Sequence, residues 1–380
     1  MGPLYMFVFF SFLTALFTSS CGEQPTAVNG DTVLSRQALL PPESGRVTGD
    51  TVVALDPRIF VVFQDRDHHY WFGSDGQGVY RYDGKHLLHF TTRQGLCNDS
   101  IREIQQDEKG AIFFTTRRGI SRFDGHRFTT LPVVKMNSPA EGWRLHPDDL
   151  WFRAEDGKKG PCRYDGQSLY QLEFPRHSME EDYYARFPNN AWSPYDIYCI
   201  YKDHRGMMWF GTSNFGICRY DGRSLSWMYE DHLQFVPGGG SFGIRSILED
   251  AKGKFWFCNT HYRYTVSPAV KTGEGKSLLS YKKEKGIEGF KAPDGADDIY
   301  YLSIVEDDKG NLWMVTYAQG VWQYDGKQMK QYRIQREGKD MTSYSIYQDR
   351  SGGLWVGTHE AGVYKFNGKE FEQFKPAASR

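Results

Sequence analysis

Three kinds of side chain in this sequence could meet another molecule. Guanidinium forks match carboxylates through paired hydrogen bonds, which singles out Arg117, beside Arg118, and Arg263. Flat rings stack on sugars or grip a partner protein. The candidates are Tyr184, Trp192 and Tyr195, with Trp143 nearby, and Phe215 and Tyr317. His261 and the His359-Glu360 pair could pass a proton. The sequence has no phosphate loop, no metal-spaced ligand cluster and no Gly-x-Ser-x-Gly elbow, so no cofactor and no metal are expected.

Where these residues stand depends on an internal repeat. The motif Asp-x-x-Gly-x-x-Trp reads DRDHHYW at 65–71, DEKGAIF at 107–113, DHRGMMW at 203–209, DAKGKFW at 250–256, DDKGNLW at 307–313 and DRSGGLW at 349–355. A degenerate copy, HPDDLW, ends at Trp151. The anchors are therefore Trp71, Phe113, Trp151, Trp209, Trp256, Trp313 and Trp355, spaced 38 to 58 residues apart. A second motif follows each anchor, as in GVYRYDG at 78–84 and GICRYDG at 216–222, except in the fifth unit.

Each unit reads as four strands. An apolar strand such as RIFVVFQ at 58–64 leads into the Asp-x-x-Gly hairpin, whose Gly supplies the positive φ that a tight turn needs. The second strand carries the anchor, the third ends at Tyr-Asp-Gly, and the fourth is short and aromatic, such as SLSWM or, in unit five, SLLSY. Four-stranded units of roughly 40–50 residues are propeller blades, covered on both faces by their neighbours. Helical periodicity is not visible. The sequence predicts an all-β chain: a seven-bladed β-propeller of four-stranded antiparallel blades over residues 55–376.

The unit resembles the two-component regulator propeller repeat, with WFGT at 209–212 and the adjoining GICRYDG as its closest copy. That resemblance implies a ligand-sensing propeller of the periplasm. Here it is expected to stand alone, without the transmembrane helix, β-sandwich or kinase of such sensors. Residues 4–17 form an apolar run of signal-peptide size, too short to span a bilayer, so 1–20 read as a signal peptide. Thr18-Ser19-Ser20-Cys21 resembles the lipobox of bacterial lipoproteins. This implies lipidation at Cys21, a tether over 21–54 and a place in the cell envelope, periplasmic or at the outer membrane. Without the lipid the protein is expected to be secreted. The other five cysteines include no C-x-x-C, and Cys162 and Cys218 share a repeat position that suits core filling.

With 46 basic against 47 acidic residues, the chain lacks the one-sided field that nucleic acid demands. Membrane contact is expected only through the anchor. In a propeller the loops after the second and fourth strands share one face, and the hairpins share the other. The former are long here, at 132–141, 175–194, 230–243 and 282–298, and long loops in compact rings tend to carry function. This insertion-bearing face is expected to bind an extracellular small molecule or glycan, or an envelope protein, without catalysis and as a monomer. A scaffold subunit of an envelope complex is one alternative. The other is an enzyme similar to the streptogramin lyases, using His261 and His359. The bland readings are that the rings pack the insertions, that the arginines form a solvated rim, and that MEED at 179–182 is a solvated turn. If Cys21 is lipidated, the mature protein partitions into detergent and Cys21→Ser stays uncleaved or becomes soluble. A wholly soluble native protein would leave only secretion.

Overall fold

The computed structural model describes residues 47–136, 142–154, 157–190, 192–236, 240–258, 262–267, 270–271, 277–287, 300–317 and 319–376. Cys21 and His261 lie outside the described residues. Seven sheets form the blades of a β-propeller, mainly four-stranded and antiparallel. The first strands are Ile59–Gln64, Ile101–Gln106, Ile197–Lys202, Ile247–Glu249, Tyr301–Glu306 and Ser343–Gln348 in blades 1, 2, 4, 5, 6 and 7.

The repeat motif is explained by one carboxylate. In blade 4, Asp203 Oδ1 accepts the N–H groups of Arg205 (3.0 Å) and Met207 (2.8 Å), which closes the hairpin. Its Oδ2 accepts the indole N–H of Trp209 at 2.8 Å, six residues on. The same indole-to-carboxylate bond joins Trp71 to Asp65, Trp256 to Asp250, Trp313 to Asp307 and Trp355 to Asp349, at 2.8–2.9 Å. Gly206 turns this hairpin at φ +79°, and in blade 1 His68 occupies the same place at φ +63°. A side chain in that region costs roughly 1 kcal/mol.

Each anchor ring then packs against the next blade. Trp71 meets Phe114 at 5.4 Å, Phe113 meets Tyr164 at 5.2 Å, Trp151 meets Phe210 at 5.7 Å and Trp209 meets Phe255 at 4.4 Å. Trp256 meets Tyr324 at 6.4 Å and Trp313 meets Phe366 at 5.0 Å. The belt closes with Trp355 against Tyr70 of blade 1 at 4.6 Å, where the Tyr70 hydroxyl also donates to Asp349 at 2.8 Å. All four strands of blade 7 come from the C-terminal run Ser343–Gln373, so side chains rather than a shared strand close the ring. The motif's basic residue lies over the anchor from the third strand, as Arg219 over Trp209 (5.6 Å) and Lys365 over Trp355 (4.6 Å).

Four blades, 1, 3, 4 and 5, depart from the plain four-strand reading. Asp50–Val52, expected in the tether, pairs with Leu87–His89 as a fifth, outer strand of blade 1. Blade 5 does have a third strand, Tyr262–Val266, and its fourth is Tyr281–Lys285. Ser277–Leu278 of the expected SLLSY strand instead joins the outer edge of blade 4, in parallel with Trp227. The connection expected from residue 282 therefore begins after Lys285. In blade 3 the innermost described strand is Leu150–Phe152, which holds Trp151, and a short Val133–Val134 strand adds to the outer edge instead. Gln105 of blade 2 fills part of the inner gap by donating to the Trp151 carbonyl at 2.7 Å.

Burial pushes the Asp349 carboxyl up, but hydrogen bonds from Trp355, Ser351, Tyr70 and Gly353 outweigh it and bring it down to about 2. Because the folded value lies below the unfolded one, this stabilisation is complete above about pH 4 and is lost as pH falls towards 2. It is worth roughly 2 kcal/mol. Asp349→Asn should flatten that acid limb of the stability curve, measured by denaturant melts between pH 5 and 2. Trp209→Ala should cost about 3–5 kcal/mol. An unchanged melt for either variant would contradict the closure described.

Candidate ligand-binding channel mouth

The first strands of blades 1, 2, 4, 6 and 7 each slip register by one residue near their start, as between Ile59 and Val61 or Ile197 and Cys199. The residue at the slip is Phe60, Arg102, Tyr198, Leu302 or Tyr344, and all five line a central cavity of about 920 Å³. Arg245 takes the corresponding place just ahead of the first strand of blade 5. A bulge re-aims a side chain out of the pleat, so one position per blade is freed to face the channel.

The wall divides by chemistry. On blades 1 and 7, Phe60 and Tyr344 stack at 4.2 Å with 21° between planes, and His359 lies against both, at 5.9 and 5.8 Å. Tyr317 of blade 6 meets Tyr344 edge-on at 6.1 Å. Burial and the neighbouring Tyr317 push the Tyr344 hydroxyl up to about 12, so it stays a neutral donor. On blades 2 to 5 the wall is charged. Arg117 pairs with Asp75 at 3.3 Å. Arg153 reaches inward from blade 3, donating to the Arg102 carbonyl at 3.1 Å. Burial raises Glu103 against the pull of Arg153, and burial lowers Arg153 against the pull of Glu103. Burial pushes the Cys199 thiol up, which disfavours its thiolate.

Of the residues singled out from sequence, Arg117, Tyr317 and His359 are brought together around this mouth. Tyr184 and Trp192 stand on the insertion between blades 3 and 4, 39% and 56% exposed. Tyr195 and Phe215 are interior, and Trp143 is half-buried. Tyr195 and Phe215 are fully buried, 4.7 Å apart, and Trp143 packs on Tyr220 at 5.0 Å while donating to the Glu173 carbonyl. The Tyr195 and Phe215 rings have no free face to offer a ligand. Arg263 sits in the third strand of blade 5, near Glu284 at 3.7 Å. The MEED run opens the helix Glu180–Arg186 rather than a solvated turn, its acids placed in the first turn where the helix dipole favours them. Glu180 accepts the Tyr195 hydroxyl at 2.5 Å and pairs with Lys159 at 2.9 Å, tying the helix down. Sequence reasoning missed Phe60, Tyr198, Arg245 and Tyr344. Their signal is the variable second residue of otherwise uniform first strands.

Two segments, 192–214 and 337–360, match the family model described as two component regulator propeller. The chain carries two component regulator propeller repeats. Solved structures share the fold. The extracellular domain of a hybrid two component system from B. thetaiotaomicron is 19% identical, with a TM-score of 0.57 over 83% of this chain. A second such domain from that organism is 15% identical, with a TM-score of 0.52 over 84% of the chain. The chain covers only 39% and 40% of those two structures. A catalytically inactive virginiamycin B lyase from Staphylococcus aureus, with quinupristin, is 14% identical at a TM-score of 0.55, covering 83% of this chain and 97% of the lyase. No curated protein matches the sequence. Among the described residues, no helix is long and apolar enough to cross a membrane.

The placements separate structural rings from exposed ones. Tyr195→Ala and Trp143→Ala should each lower stability by about 2–5 kcal/mol, whereas Tyr184→Ala and Trp192→Ala should stay within about 0.5 kcal/mol of the parent in the same melts. Equal losses from both pairs would mean that the insertion is packed differently.

Proposed function

We propose that this propeller is a non-catalytic binding protein of the cell envelope, or a secreted one. It takes an extracellular ligand at the channel mouth of its insertion-bearing face. The observation that carries this reading is the asymmetry of the ring. On one face, Phe60, Tyr344 and Arg117 from three blades border a single cavity, and Tyr317 and His359 pack on Tyr344 beside it. The opposite face carries near-identical Asp-x-x-Gly and Asp-Gly hairpins, whose carboxylates are spent on their own backbone N–H groups, as Asp325 is on Lys327 and Gln328. A cavity of this size, with an aromatic wall and a few fixed polar groups, has the ordinary make-up of a small-molecule site. The likeness to extracellular domains of two component systems supports the same reading at the level of fold. A glycan, another small molecule or an envelope protein fits the mouth, and the chain acts as a monomer anchored by lipid at Cys21.

One observation favours an enzyme as the second reading. His359 Nδ1 lies 3.1 Å from Glu360 at the channel mouth, and the lyase fold is similar. A glycan array and an envelope pull-down on residues 22–380 would identify the ligand. Tyr344→Ala and Tyr317→Ala should then weaken its binding about tenfold or more. Lys252→Ala and Lys309→Ala, on the hairpin face, should leave binding unchanged. Losses confined to Tyr184→Ala and Trp192→Ala would favour a scaffold docking surface instead. Turnover lost in His359→Ala with binding kept would favour the enzyme.

A further inference from the structure

The hairpin between the third and fourth strands is built the same way in six blades. Asp83, Asp124, Asp165, Asp221 and Asp325 each turn Oδ1 onto the N–H groups two and three residues on, at 2.7–3.0 Å. Each is followed by a glycine with φ between +87° and +95°. Such a side chain caps its own turn. In blade 7 the acid is replaced by an amide. Asn367 Oδ1 takes the N–H groups of Lys369 and Glu370, both at 2.8 Å, and Gly368 follows at φ +96°.

That one change makes the turn reactive. An asparagine loses ammonia when the backbone nitrogen of the next residue attacks its side-chain carbonyl carbon. The bond to Lys369 folds the Asn367 side chain back over the peptide that follows it. The two N–H groups on Oδ1 polarise the carbonyl, and they are placed to hold the charge that gathers on that oxygen during attack. The attacking nitrogen belongs to a glycine, and the space where a Cβ would stand is open. Asn367 and Gly368 are both exposed. Among the described residues, neither the Asn367 amide nitrogen nor the Gly368 N–H has a hydrogen-bond partner. Attacking group and leaving group are both free. Asn98 makes the comparison: its Oδ1 accepts the Ser100 N–H at 3.0 Å in a similar turn, but Asp99 follows it, with a side chain in the way. The other Asn-Gly pair of the sequence, Asn29-Gly30, lies outside the described residues.

We propose that Asn367 is a self-modification site, converted in the folded protein to aspartate or isoaspartate. The Gly368 nitrogen gives its proton to solvent base and bonds to Cγ. Nδ2 takes up a proton and leaves as ammonia, and a succinimide closes. Water then opens it. Attack at Cγ restores the main chain and leaves aspartate, whereas attack at the former main-chain carbonyl leaves the chain running through Cγ as isoaspartate. One water is consumed, one ammonia is released, and nothing is oxidised or reduced. Aspartate reproduces the cap of the sister blades, where at Asp325 the two N–H groups hold the carboxyl below the usual range. Isoaspartate adds a methylene between Phe366 and Phe371, the paired residues that pack on Trp313 of blade 6.

The test is peptide mapping by mass spectrometry after the folded, mature chain has stood in mildly alkaline buffer. The buffer is made with oxygen-18 water, which labels only product formed in the tube. Asn367 should convert roughly tenfold or more faster than Asn98, and Gly368→Ala should remove most of that advantage. Should Gly368→Ala fail to fold, the comparison of Asn367 with Asn98 in the parent still decides. Asn367→Asp carries one product from the start and should match or exceed the melting temperature of the parent. A rate at Asn367 no greater than at Asn98, conversion only once urea has unfolded the protein, or an unchanged rate in folded Gly368→Ala would each overturn the proposal. A lower melting temperature for Asn367→Asp would overturn the fit of the acid to this cap. None of these outcomes touches the channel-mouth reading.

Discussion

The hydrogen bond from a buried indole to the turn carboxylate six residues before it organises this ring. The aspartate uses one oxygen to cap its hairpin and the other to hold the tryptophan, so turn and second strand are fixed together. With the ring so held, its far side becomes the surface against which the next blade packs. A buried carboxylate would be costly alone. Here the backbone N–H groups and the indole satisfy it, which turns a liability into a specification of geometry. Five blades carry the complete pair.

The two blades without it adjoin one another. Blade 2 has Phe113, which keeps the packing but donates nothing. In blade 3, Asp149 turns to Arg163 instead, and the Trp151 indole N–H has no partner among the described residues. Blade 3 is also the blade whose innermost described strand is the second, and through that gap Arg153 enters the channel. The regular blades therefore build a stiff collar with bulged side chains aimed inward, and the irregular pair admits extra charge. Structure and candidate function divide along the same line.

The collar was legible in the sequence because the clamp demands fixed residue types at fixed spacing. Seven anchors marked seven blades, and all seven are buried. The site was legible only in part. Arg117, Tyr317 and His359 follow strands whose register the motif sets, so their face could be counted out. Tyr195 and Trp143 sit in insertions with no period, where an aromatic residue does not announce whether it faces inward. Phe215 sits in a motif loop, but its ring turns under the insertion to meet Tyr195. The bulge residues were overlooked for a different reason. A one-residue slip reverses which side of a strand faces the channel, and alternation alone cannot locate it.

The most direct test of this account is hydrogen exchange at the indole nitrogens, followed by nitrogen-15 NMR on the folded protein. The N–H groups of Trp71, Trp209, Trp256, Trp313 and Trp355 should exchange only on the timescale of global opening, while that of the exposed Trp192 should be gone in the first spectrum. If the five clamped indoles exchanged as fast as Trp192, the carboxylates would not be holding them, and the blades and the channel they frame would need another explanation.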